Sequence, residues 1–177
     1  MSISKNTFLY FAYGSNLLKE RIHINNPSAK MKAVARLSGY QLDFNYFSSR
    51  WNGAVATITK TPTDEVWGIV WEMDMKHRQT LDRQEGVHTS IYRPITVEVE
   101  TREGETYVCR CYELIRPLEE DRRPSRVYKE VIIKGAIQNS LPDHYIHRLE
   151  KIVDNAYDGV VEIREQLIDQ HKVRSAA

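Results

Sequence analysis

Hydrophobic positions follow two regimes along this chain. From Phe8 to Leu114 they come as short runs and alternations of strand length, and from Ser125 onward they recur at helical spacing. The aromatic-rich run Phe8 to Tyr13, stopped by Gly14, predicts a buried strand. Further strands are expected at Ala33 to Leu37, Tyr40 to Phe44, Ala54 to Thr59, Val66 to Trp71, Tyr92 to Glu100 and Glu105 to Leu114, with turns at Ser38-Gly39, Thr61-Pro62 and Glu103-Gly104. The last two strands alternate cleanly on both sides of Gly104 and read as a hairpin.

Helices are expected between and after these strands. Asn16 fits an N-cap, with Leu17, Leu18, Ile22 and Ile24 at rough helical spacing and Asn25 to Ser28 closing the element. Asp74 and Gly86 bracket a helix over Met75 to Glu85. Arg116 to Pro124 reads as a charged, solvated loop. Helices are then predicted over Ser125 to Asn139, Pro142 to Asp154 and Tyr157 to His171, with a frayed terminus beyond. Many strands followed by helices predict an α+β fold, a small mixed β-barrel with flanking helices.

Composition narrows the function classes. A chain of 177 residues fits one domain, residues 1–177, with an ordered core over about 8–165. Hydrophobic residues at 41% with charged residues at 28% argue against disorder. A net charge of +1 gives no electrostatic reason to expect nucleic acid or anionic lipid, and no apolar run approaches membrane-span length. The polar start, Met1 to Thr7, lacks a secretory core. Cys109 and Cys111 are too few for a disulfide framework and read as reduced, buried thiols of a cytoplasmic protein.

Two segments carry candidate chemistry. Tyr13-Gly14-Ser15-Asn16 lies where a strand meets a helix. Gly14 can take φ > 0 and admit a ligand close to the backbone, and the N–H groups that follow suit a carboxylate or phosphate. The plain alternative is a turn with a good N-cap, and the spacing matches neither a dinucleotide fingerprint nor a P-loop. Glu85 stands at a helix C-terminus, where the dipole disfavours its charge. That raises its pKa toward what a base needs near neutrality, whereas an exposed Glu would tolerate the position in water. His144 and His147, three apart on a helix, have no third metal ligand at useful spacing. Tyr10, Tyr13, Tyr92 and Tyr128, like Trp51, Trp67 and Trp71, have the ordinary reading of core aromatics.

Together, "FLYFAYGSNLL" and "LDRQEG" resemble gamma-glutamylcyclotransferase. The likeness continues in "RIHINNPSA", "EVWGIVW", "VYKEVIIKGA" and "NSLPDHY", from Phe8 to about Glu165. The resemblance implies conversion of gamma-glutamyl-α-amino acids to 5-oxoproline and a free amino acid, with no cofactor and no metal. It also implies a small mixed barrel and an often dimeric cytosolic protein. It places the catalytic acid/base on Glu85 and the substrate cradle on Tyr10, Phe11, Ala12, Tyr13, Gly14 and Ser15, with Tyr128 as a further substrate contact. The N–H groups of Gly14, Ser15 and Asn16 would hold the substrate carboxylate or the oxyanion. Alternatives left open are glutathione or gamma-glutamylamines as substrates, or a non-enzymatic binder of a small carboxylate or protein partner. Two departures from the family pattern are Ala54, which would narrow the pocket if that backbone lines it, and Pro94, which predicts an edge or bulge in its strand.

Overall fold

The computed structural model describes residues 6–163. Its strands are β1 (Thr7–Ala12), β2 (Lys30–Ser48), β3 (Gly53–Asp74), β4 (Tyr92–Thr101) and β5 (Thr106–Leu114). They close a barrel in the order β1-β3-β2-β4-β5. Adjacent strands run antiparallel except where β5 meets β1. That seam is parallel, with Tyr10 opposite Arg110.

Each long strand replaces two predicted ones. Gly39, at φ 81, lets β2 pass through a bulge instead of turning. Opposite it, the register jumps from Tyr40↔Lys60 to Ser38↔Glu65, so Thr61-Pro62 lies in a bulge of β3 and the ladder resumes beyond it. The β4–β5 hairpin turns at Gly104 (φ 85), as predicted. Pro94 pairs with Tyr112 in β5, while β2 joins β4 only at Glu100 and Thr101. One side of β4 is therefore open at the proline, where a missing N–H costs no ladder bond.

The helices are shorter than the sequence pattern suggests. After β1 comes a 3-10 turn, Ser15–Leu17, and then α1 (Lys19–His23). Asn16 is therefore inside the 3-10 turn and caps nothing with its side chain. The predicted helix Met75 to Glu85 is a 3-10 turn over Met75–His77 followed by α2 (Arg78–Gln84), and Gly86 ends it in the left-handed conformation, φ 66. α3 (Arg126–Gln138) is N-capped by Ser125, whose Oγ accepts from the Tyr128 N–H at 3.1 Å. α4 spans Asp143–Glu150. Residues 157–161 are not helical, and the remainder of the helix predicted to His171 lies almost entirely outside the described residues.

Two close approaches fix the helices on the barrel. A Cβ at Gly135 would stand 2.5 Å from the Leu18 nitrogen, so α3 lies directly on the chain entering α1. The same face of α3 supplies polar anchors: Asn139 Nδ2 donates to the Leu17 carbonyl at 2.8 Å, and Gln138 Oε1 accepts from the Lys19 N–H at 3.0 Å. Gly53 meets the loop before α3 in the same way, a Cβ there falling 2.2 Å from the Ser125 nitrogen. We expect Gly135→Ala to lower stability by about 1–3 kcal/mol, because backbone rather than a flexible side chain must give way. A thermal melt several degrees below wild type checks this, and an unchanged melt would contradict it.

Candidate active site

β1 delivers Tyr10 and Tyr13 to one end of the barrel, and the chain then turns through Gly14, Ser15 and Asn16 across that opening. Gly14 has φ −110, so the positive φ expected for it is not used. Its role is steric: a Cβ would stand 3.3 Å from Ala56 Cβ and 3.4 Å from the Tyr128 hydroxyl. Among the described residues, no hydrogen bond uses the N–H groups of Gly14, Ser15 or Asn16. A cavity opens there, lined by those three residues with Glu85, Ala56 and a ring of tyrosines: Tyr10, Tyr13, Tyr92, Tyr112 and Tyr128. A second, outer compartment shares Ser15, Glu85, Tyr92 and Tyr128 with the first and adds Arg21, Arg50, Trp51 and Gln84.

The tyrosines are held by backbone groups that the barrel leaves over. Ala56 donates its N–H to the Tyr128 hydroxyl at 2.9 Å, and its carbonyl accepts from the Tyr92 hydroxyl at 2.6 Å. Two groups that would otherwise be orphaned at a strand flank are thereby satisfied. Tyr13 donates to the Tyr112 carbonyl, joining β1 to β5. Burial pushes the hydroxyls of Tyr10, Tyr13, Tyr92 and Tyr128 well above the usual phenol range, so all four stay protonated at neutral pH.

Glu85 follows the last residue of α2, its N–H bonded to the Leu81 carbonyl. Its Oε1 accepts from Asn16 Nδ2 at 3.3 Å, and the same amide nitrogen donates to the Tyr10 hydroxyl at 3.2 Å. Asn16 Oδ1 in turn accepts from Gln84 Nε2 at 3.2 Å. Glu85 is half-buried, facing the two compartments. Its pKa is raised from 4.5 to about 7, first by loss of water and further by Asp82, against the opposing pull of Arg21. Burial, rather than the helix end, is the leading cause of this shift.

α2 is tied to the barrel beside this site. Asp82 takes two bonds from Arg110 Nη2, at 2.9 and 2.8 Å, and one from the Tyr112 hydroxyl. This half-buried pair fixes the helix that carries Glu85 against β5.

The structure thus brings together Tyr10, Tyr13, Gly14, Ser15, Asn16, Glu85 and Tyr128. Phe11 and Ala12 line neither compartment. Both are fully buried where Gly68 of β3 crosses them, a Cβ at Gly68 falling 2.2 Å from the Ala12 carbonyl. Ala54 lines neither compartment either, and its N–H donates to the Arg123 carbonyl at 3.0 Å. Tyr92 and Trp51, read as core aromatics, line the cavities, as do Tyr112, Ala56, Arg21 and Arg50, which the sequence did not single out as site residues. No local sequence pattern unites them, because strand register and the β2–β3 turn bring them to the cavities. Among the described residues, no three His, Cys, Asp or Glu side chains are grouped to hold a metal ion.

The chain is similar to known proteins over most of its length. Gamma-glutamylcyclotransferase of Mus musculus is 49% identical over 159 residues, spanning 88% of this chain and 84% of the mouse protein. The chain belongs to the gamma-glutamylcyclotransferase family. The Bos taurus gamma-glutamylcyclotransferase is 48% identical over equal shares. A solved structure described as gamma-glutamyl cyclotransferase superposes with a TM-score of 0.85 at 46% identity, covering 92% of this chain and 99% of its own. A model of the AIG2-like family matches residues 65–149, which hold Glu85 and Tyr128 but not the turn after β1.

The raised Glu85 pKa sets a pH dependence for this family member. The folded state keeps a proton that the unfolded chain releases between pH 4.5 and about 7, so stability falls as pH rises through that window. Glu85→Gln removes the slope. The variant should gain on the order of 1–3 kcal/mol over wild type at pH 8 relative to pH 4.5, read by urea denaturation at both values. An equal difference at both pH values would contradict it.

Proposed function

We propose that this protein is a gamma-glutamylcyclotransferase acting on gamma-glutamyl-α-amino acids, with Glu85 as the acid/base. The observation that carries this reading is a carboxyl with a pKa of about 7, lining a cavity of neutral hydrogen-bonding groups beside three unengaged backbone N–H groups. Burial and Asn16 suit Glu85 to accept a proton near neutrality and to return it.

In this mechanism the γ-glutamyl chain folds back so that its α-amine reaches its own γ-amide carbonyl. Confinement in the cavity supplies much of the rate, since the step is intramolecular. Glu85 takes a proton from the α-ammonium, the freed nitrogen attacks, and a C–N bond closes the five-membered ring. The oxygen of the resulting tetrahedral adduct needs donors, which the tyrosine hydroxyls and the N–H groups of Gly14 to Asn16 can provide. Collapse breaks the original amide C–N bond, and Glu85 returns its proton to the departing nitrogen. Glu85 relays the second proton of the ring nitrogen to the freed amine in the same way, so two protons leave the attacking nitrogen, two reach the departing one, and the carboxylate ends as it began. Products are 5-oxoproline and a free amino acid. No cofactor takes part in any step. The cytosolic setting accords with Cys109 and Cys111, which are free, buried and raised in pKa by that burial.

Purified protein should release 5-oxoproline from gamma-glutamyl-alanine, detected by mass spectrometry. kcat/KM should rise with pH to a plateau above an apparent pKa near 7. Glu85→Gln should lose roughly 10²–10⁴-fold in turnover while staying folded. Retained turnover in that variant would overturn the assignment of Glu85.

A further inference from the structure

Among the described residues, Arg21 is a charged group with no hydrogen-bonded or ion-paired counterpart, although the Glu85 carboxyl acts on it through space. It sits on α1 with 5% of its surface exposed. Among the described residues its Nε, cut off from solvent, has no hydrogen-bond partner, and its guanidinium forms neither a hydrogen bond nor an ion pair within 4.0 Å. Glu85 and Arg21 share the outer compartment without meeting at ion-pair distance. A buried guanidinium is normally paired, because its five donors lose water on burial and must regain acceptors. Here the guanidinium lines the outer compartment, together with the exposed Arg50.

The two compartments therefore differ in charge. The inner one has hydroxyls, amide groups and the Glu85 carboxyl, with no cation among its lining residues. The outer one adds two guanidiniums. Glu85 lines both, at their junction. Given the proposed function, on which this inference rests, the scissile amide lies beside Glu85 and the γ-glutamyl head fills the inner compartment. The leaving amino acid then extends outward, past Glu85, toward the arginines.

We infer that Arg21, assisted by Arg50, binds the carboxylate of the departing amino acid and so selects gamma-glutamyl-α-amino acids over gamma-glutamyl compounds whose leaving amine lacks that charge. A planar guanidinium presents paired donors to a carboxylate, and shielding from water strengthens the contact. The rigid seat of Arg21 follows from the anchoring of α1 on α3 through Gln138 and Asn139, which fixes the guanidinium before substrate arrives.

The test compares gamma-glutamyl-alanine with gamma-glutamyl-alaninamide, identical but for the neutralised carboxylate. Wild type should favour the acid roughly 10- to 100-fold in kcat/KM, mainly through KM. Arg21→Gln should bring that ratio near one, and Arg50→Gln, on the exposed side, should reduce it less while leaving the fold intact. Circular dichroism confirms folding of each variant. The wild-type ratio needs no substitution and can overturn the inference even if Arg21→Gln unfolds, in which case the loss of preference in Arg50→Gln tests the arginine pair. Equal turnover of acid and amide by wild type would overturn the inference and leave the cyclotransferase reading standing. No turnover of either would overturn both. A ratio that survives Arg21→Gln in a folded variant would assign the selectivity elsewhere and overturn it too.

Discussion

The carboxamide of Asn16 joins three parts of the molecule, and the geometry of the site depends on it. Its nitrogen reaches Tyr10 on β1 and Glu85 after α2, its oxygen takes Gln84, and its backbone carbonyl accepts the indole N–H of Trp71 on β3 at 2.9 Å. The residue is buried. In such surroundings each bond is worth more than in water, and each broken one leaves an orphan. In the proposed mechanism, a neutral amide is also the appropriate donor for a carboxylate that must be protonated part of the time. A cation at the same distance would hold Glu85 ionised and deprive it of a proton to return.

Around that amide, the barrel supplies rigidity and the helices supply chemistry. Closure of β1 against β3 and β5 fixes Tyr10 and Tyr13. The Asp82–Arg110 pair fixes the helix that ends in Glu85. Tyr128 comes from α3, whose seating on the chain before α1 also sets Arg21. One helix thus orients groups of both compartments, so packing at Gly135 and Gly53 bears on the site without touching it.

Much of this was legible in the residues. The short apolar runs marked the strands, Gly86 marked the helix end, and the glycine turn after β1 together with Glu85 marked the candidate site, whose cavity both line. What stayed hidden depended on long-range register. Two pairs of predicted strands fuse because bulges at Gly39 and around Thr61-Pro62 replace turns, and local composition does not distinguish the two. Asn16 has the local signature of an N-cap, yet its amide is used by residues nearly seventy positions away. Tyr92 and Tyr112 look like core aromatics until the β4–β5 pairing turns them toward the cavity. Phe11 and Ala12 share a motif with true lining residues, but Gly68 packs against them.

The central claim is that burial beside a neutral amide holds the Glu85 carboxyl half-protonated near neutrality. Infrared difference spectra of wild type minus Glu85→Gln, collected across pH in the absence of substrate, read that carboxyl directly. A protonated-carboxyl band that disappears with a midpoint near 7 is the predicted result. A midpoint near the ordinary 4.5 would mean that Glu85 is fully ionised at neutral pH, and the account of the site built on its burial would be wrong.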